Sequence, residues 1–188
     1  MNGFVLGSGR SGTLWTADTL SACTDLDVRH ESMGQTIGAG FRGVEVNGFL
    51  RNQVPDLRQR FPDATLIHLV RDGRLVVRSV MSRHPDRYAF RECCRHWAAT
   101  NARLADQIPA HLRFRLEDLT TSFTWFRVLA FSLGAGRVWR RGWAKHAHRP
   151  LNATGTYAFP APEDWTESQR RTFLAEAGAV MTRMGYDQ

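Results

Sequence analysis

The feature that most constrains this chain is its opening stretch, Phe4-Val5-Leu6-Gly7-Ser8-Gly9-Arg10-Ser11-Gly12-Thr13-Leu14-Trp15. Phe4 to Leu6 reads as a buried strand. Three glycines follow, interleaved with Ser8, Ser11 and Thr13, and then a helix-permissive segment, Leu14 to Cys23. Strand, Gly-rich loop and helix form a phosphate cradle. Glycine lets the backbone turn its N–H groups inward, and the helix N-terminus adds partial positive charge. The hydroxyls supply further donors and Arg10 a permanent cation.

The spacing Gly7-x4-Gly12 matches the start of a Walker A loop, but Thr13 stands where that loop carries Lys, and Leu14 where it carries Ser or Thr. A magnesium triphosphate needs both groups. The loop is built for an anion of another kind.

At 188 residues the expectation is one domain, 1–188, with a sizeable core. No basic region precedes a long apolar stretch, and no apolar run reaches the length of a membrane span, so the expectation is a cytoplasmic protein without a leader or a span. The net charge is +7, and Lys145 is the one lysine among 25 basic residues. This arginine-heavy usage suggests a GC-rich bacterial genome. A basic balance favours anionic ligands. The arginines are scattered and follow no nucleic-acid motif, so no nucleic-acid partner is expected. Cys23, Cys93 and Cys94 are odd in number and lack zinc spacing, so neither a structural disulfide nor a metal is expected.

Along the chain, strands are predicted over Leu26–His30, Thr65–Val70 and Leu112–Leu116. Helices are predicted over Leu14–Ala22, Leu50–Phe61, Leu75–Ser82, Ala89–Gln107, Thr124–Leu133 and Asp164–Met184, the last capped near Glu163 or Asp164. Ser32–Gly48, with five glycines, reads as a loop with a partial helix, and Arg137–Pro162 as irregular. The almost wholly apolar Thr65–Val70 suits a central parallel strand. The alternation implies an α/β fold, a P-loop-type central parallel sheet with helices on both faces in three layers.

Four separated pieces resemble the sulfotransferases that use 3′-phosphoadenosine 5′-phosphosulfate (PAPS). Gly9-Arg10-Ser11-Gly12-Thr13-Leu14-Trp15 resembles the family's 5′-phosphosulfate loop. Leu69-Val70-Arg71-Asp72-Gly73-Arg74 with the helix carrying Ser79 resembles its 3′-phosphate motif. Leu116-Glu117-Asp118-Leu119 resembles its acidic turn, and Met184-Gly185-Tyr186 its closing Leu-Gly-Tyr. The chain is similar to a short, bacterial-type member. The resemblance implies sulfuryl transfer from PAPS, leaving adenosine 3′,5′-bisphosphate (PAP), to a hydroxyl or amine of a small-molecule or carbohydrate acceptor, with no metal. An oligomer is possible. It implies PAPS contacts from Gly9, Arg10, Ser11, Gly12, Thr13, Leu14, Arg71 and Ser79, and weakly from Arg149 in a late basic loop with Lys145, His146, His148 and Asn152. Gly73 replaces the family's common Pro, a change expected to loosen that turn.

Transfer needs charge stabilisation, which Arg10 and Thr13 suit, and a base for the acceptor proton. Glu31 and His30 are the candidates, with Glu31 favoured. Strand alternation is expected to point them in opposite directions. Asn101 and Trp97 are candidates for the site lining, Trp97 more readily for the core. A P-loop kinase and a catalytically degenerate PAPS- or PAP-binding protein remain alternatives.

Overall fold

Two apolar runs of the sequence become neighbours at the centre of a sheet. In the computed structural model, which describes residues 2–32, 41–149 and 157–187, β1 (Asn2–Gly7) pairs in parallel with β4 (Thr65–Val70), Val5 opposite Ile67. On its other side β1 pairs in parallel with β3 (Gly43–Val46), which pairs with β2 (Val28–His30). β5 (Arg113–Arg115) pairs with β4 and completes a five-stranded parallel sheet of order β2-β3-β1-β4-β5.

Period-two alternation splits the strands between two covered faces. Val5, Val44, Val46, Ile67 and Leu69 pack against α1 (Thr13–Cys23) and α6 (Phe123–Ser132). Phe4, Leu6 and Leu66 pack against α2 (Val54–Arg60) and α4 (Phe90–Gln107). Beyond α4, an outer cluster joins it to α3 (Gly73–Arg83) and α8 (Glu167–Arg183). The α/β architecture expected from the strand–helix alternation is the one observed.

The chain leaves β1 for the edge strand β2, returns to β3 beside β1, then crosses to β4 and β5 on the other side. The carboxyl end of β1 is therefore a topological switch point, where open parallel sheets bind ligands.

The sequence reading needs four corrections. β3 lies inside the stretch read as a loop, the rest of which falls largely at residues 33–40, outside the described residues. Val44-Glu45-Val46 is short and has a carboxylate at its centre, so its strand character comes from its neighbours rather than its own pattern. The helix expected from Leu50 is a 3-10 turn (Phe49–Asn52) followed by α2, with Pro55 in its first turn. The irregular basic stretch contains α7 (Arg140–His146). Finally, α8 is capped by Thr166, whose hydroxyl accepts from Gln169 N, rather than by Glu163 or Asp164. Its other end closes at Gly185, at φ 81°, with Gly185 N donating to Thr182 O and Tyr186 N to Met181 O. No described helix is long and apolar enough to cross a membrane.

Candidate active site

The loop after β1 is held in a demanding conformation. Ser11 N donates to Ser8 O at 3.2 Å, and both Arg10 (φ 67°) and Gly12 (φ 95°) adopt left-handed backbone. Alternation of left-handed and ordinary residues turns successive N–H groups to one side, the anion-binding concavity of a nest. A Cβ on Gly7 would stand 2.5 Å from Ser11 Oγ, and one on Gly12 2.5 Å from the Leu116 side chain. The sequence therefore needs glycine at both places. Gly12 is also the N-cap of α1 and offers its first turn no side-chain acceptor. Those N–H groups are the ones a helix N-terminus presents to an anion. Ser8 and Ser11 are buried, and their hydroxyls have no hydrogen-bond partner among the described residues.

Arg10 ties the loop to the β4–α3 turn. Its Nε donates to Ser79 Oγ at 2.9 Å, and its carbonyl accepts from Arg71 Nη1 at 3.1 Å. These residues border a cleft of about 630 Å³ at the carboxyl end of β1. Of the residues expected to hold PAPS, Gly9, Arg10, Gly12, Thr13, Leu14, Arg71 and Arg149 line it. Ser11 and Ser79 are fully buried and are not among its lining residues, and Ser79 acts on Arg10. Sequence reasoning missed Arg83, which also lines the cleft. It stands four residues after Ser79, one helical turn along α3, and that spacing was the available signal. Burial above all, and then the Arg83 and Arg71 charges, pull the Arg10 guanidinium below its ordinary pKa, with Tyr157 acting the other way.

His30 and Glu31 both line the cleft, contrary to the alternation argument. Glu31 has left the strand for left-handed backbone (φ 47°), which swings its side chain to the same side as that of His30. His30 Nε2 lies 3.2 Å from Thr13 Oγ1 and 3.8 Å from Glu31 Oε1. Beneath them the sequence reading missed a buried carboxylate. Glu45 accepts hydrogen bonds from Ser32 N at 3.0 Å, Ser32 Oγ at 2.7 Å and Asn47 Nδ2 at 3.0 Å. Asn47 Oδ1 in turn accepts from the N–H of Phe49, whose half-exposed ring borders the cleft. Three donors are a full satisfaction of a buried carboxylate.

Other candidates take structural places. Trp97 is buried against Gly73 and donates from Nε1 to Arg71 O at 3.2 Å. A Cβ on Gly73 would meet its indole at 2.9 Å, so the residue that replaces the family's Pro makes room for Trp97. The turn is further braced by Asp72, which accepts from Arg74 N and pairs with its guanidinium at 2.7 Å. Asn101 does not line the cleft: it is buried and its Oδ1 meets His68 Nε2 at 2.9 Å beneath the sheet. His146 pairs with Asp18 at 2.8 Å, while His148 lines the cleft beside Arg149. Asn152 lies outside the described residues.

Glu117 gathers three of the four motif segments. Its Oε1 accepts from Asp72 N at 3.1 Å and its Oε2 from Tyr186 OH at 2.7 Å. The segment that resembles an acidic turn is the short helix α5 (Leu116–Thr121), and it joins the turn after β4 to the closing Gly-Tyr.

No protein-family model matches the sequence, and no curated protein matches it. Among solved structures, the chain is similar to a sulfotransferase domain from the curacin biosynthetic pathway, at a TM-score of 0.62 and 12% identity, over 98% of this chain and 97% of that one. The chain has the fold of a sulfotransferase domain.

Proposed function

We propose that the chain is a sulfotransferase that transfers a sulfuryl group from PAPS to a hydroxyl or amine acceptor. One observation carries this reading. The cleft gathers Arg10, Arg71, Arg83 and Arg149 around a glycine-rich loop that has Thr13 in place of a Walker lysine. Among the described residues, Glu31 is the single carboxylate lining it. Four cations suit a donor with two separated anionic groups and exceed what a magnesium-bound triphosphate requires. The fold similarity and the four motif resemblances support the same reading.

The residues fit such a donor. The unpartnered hydroxyls of Ser8 and Ser11 and the uncapped start of α1 suit its 5′ end. Arg71 and Arg83 suit its 3′-phosphate. PAPS, when bound, supplies an activated sulfuryl group. The loop N–H groups, Thr13 and Arg10 stabilise negative charge at the reacting centre. Glu31 takes the acceptor proton, and His30 stands beside it with Nε2 3.2 Å from the Thr13 hydroxyl. His30, Glu31 and Phe49 also line the cleft and suit the acceptor.

Titration calorimetry with PAP and with ATP plus Mg²⁺, followed by transfer of labelled sulfate from PAPS to a panel of hydroxyl and amine acceptors, tests the reading. Tight PAP binding with transfer supports it. Preference for ATP with Mg²⁺ makes the protein a kinase-like enzyme, and PAP binding without transfer makes it a binding protein.

A further inference from the structure

From Leu119 to Pro162 the chain has no Asp or Glu, yet it carries six Arg or Lys residues. Four of the seven large hydrophobic side chains most exposed among the described residues fall in this same stretch: Trp125, Val128, Phe131 and Trp139. Trp125, Val128 and Phe131 recur at three-residue spacing along α6, whose opposite side buries Phe126, Leu129 and Ala130 in the core. α7 lies alongside, its Trp143 ring 5.6 Å from that of Phe123 and its Arg140 guanidinium 5.8 Å above the same ring. Arg127 of α6 and Arg140 of α7 border one shallow depression between the helices. Beyond α7 the chain runs through His148 and Arg149, which form the rim of the cleft.

We infer that the α6–α7 face is a docking surface for a partner protein whose own surface is acidic around an apolar centre. Composition selects the class of partner. The exposed Trp and Phe are flanked by Arg, with Arg127 on one side of the stripe and Arg113 and Arg115, the latter paired with Asp118, beside Trp125 on the other, a combination that protein interfaces concentrate at their energetic centres. A purely polyanionic ligand leaves the apolar stripe unused. A second copy meeting the first through this same face would oppose the four cations of α6 and α7, Arg127, Arg140, Arg141 and Lys145, to the same four. Charge complementarity therefore calls for carboxylates, which pair with Arg in a bidentate geometry. The inference does not rest on sulfuryl transfer, because its readout is binding alone.

The test uses a synthetic amphipathic helix with one glutamate face and one leucine face, titrated against the full chain by fluorescence anisotropy. Comparators are polyglutamate, chondroitin sulfate and phosphatidylserine vesicles. The expected result is peptide binding at least roughly tenfold tighter than polyglutamate of equal charge, weakening as salt rises. The surface pairs Trp125→Ser with Phe131→Ser, and Arg127→Glu with Arg141→Glu, should each weaken it by about tenfold or more at unchanged melting temperature and PAP affinity. A lysine-faced peptide should bind the Arg127→Glu, Arg141→Glu variant better than the original protein. The inference is overturned if the peptide does not bind, or if either pair of substitutions leaves its affinity intact. Equal or tighter binding of polyglutamate, chondroitin sulfate or the vesicles also overturns it, as does sedimentation showing self-association that Phe131→Ser abolishes.

Discussion

His30 and Glu31 are neighbours in sequence and face the same cleft, with His30 Nε2 3.8 Å from Glu31 Oε1. An extended strand would have placed them on opposite faces. The left-handed Glu31 backbone undoes that alternation, and Ser32, held by two hydrogen bonds to buried Glu45, anchors the chain on its far side. Non-glycine residues in this backbone region cost on the order of 1–3 kcal/mol and persist where their surroundings hold them.

The pair makes the assignment of the base testable. Glu31→Gln keeps the shape and removes the proton acceptor. Turnover should fall by roughly 10²–10⁴-fold with PAP affinity unchanged. His30→Ala should lower turnover less. Steady-state rates across pH, with PAP titrations of each variant, check this; a dead His30 variant beside a near-normal Glu31→Gln assigns the base to His30 instead.

Arg10 links the loop after β1 to the segment after β4, since its Nε meets Ser79 and its carbonyl meets Arg71. Arg10→Ala should therefore weaken both PAP and adenosine 5′-phosphosulfate. Arg71→Ala should cost PAP on the order of 2–3 kcal/mol and cost adenosine 5′-phosphosulfate, which lacks the 3′-phosphate, much less. Calorimetry with the two ligands separates the roles, and equal losses on Arg71→Ala would deny Arg71 the 3′-phosphate.

The parts of this arrangement that were legible are those written in one local pattern. Phe4–Leu6 and Thr65–Val70 are apolar runs between turn residues, and they form the centre of the sheet because burial on both faces demands such runs. Gly7 and Gly12 announced the tight turn after β1 by spacing alone. β3 was not legible: Glu45 interrupts its pattern, and the reason a carboxylate is tolerated there, three donors from Ser32 and Asn47, is tertiary. The shared orientation of His30 and Glu31 depends on one backbone angle that no periodicity encodes. Asn101 is polar at helical spacing beside a cleft-forming strand, and only the fold reveals that its partner is His68.

That pairing has a consequence at low pH. His68 is buried on β4, and desolvation lowers its pKa from 6.5 to about 4, against the opposing hydrogen bond that its Nε2 donates to Asn101 Oδ1. Between those values the unfolded chain binds a proton that the folded chain refuses, so stability falls as pH drops from about 6.5 towards 4 and is unaffected by this group above that window. The full loss is on the order of 3 kcal/mol. In His68→Gln, urea midpoints measured from pH 7 to pH 4.5 should decline less steeply than in the parent. Parallel declines would show that His68 is not the titrating group.

Glu117 holds two elements with two oxygens, and each bond can be removed separately. Tyr186→Phe deletes the hydroxyl that donates to Oε2 at 2.7 Å, leaving that oxygen short of a partner at a partly buried site, at a cost of about 1–2 kcal/mol. Glu117→Gln is expected to cost less. Its amide oxygen still accepts from Asp72 N, and the Tyr186 hydroxyl can rotate to accept from the amide NH₂. Glu117→Ala loses both bonds, frees the turn that carries Arg71, and should be the most damaging of the three, weakening PAP binding as well as stability. Because Tyr186 acts through Glu117, adding Tyr186→Phe to Glu117→Ala should cost markedly less than Tyr186→Phe alone. Urea denaturation of the four variants measures the cycle. Additive losses would mean that Tyr186 stabilises the fold through its packing and through Arg115, whose guanidinium lies 5.3 Å from its ring, rather than through the carboxylate.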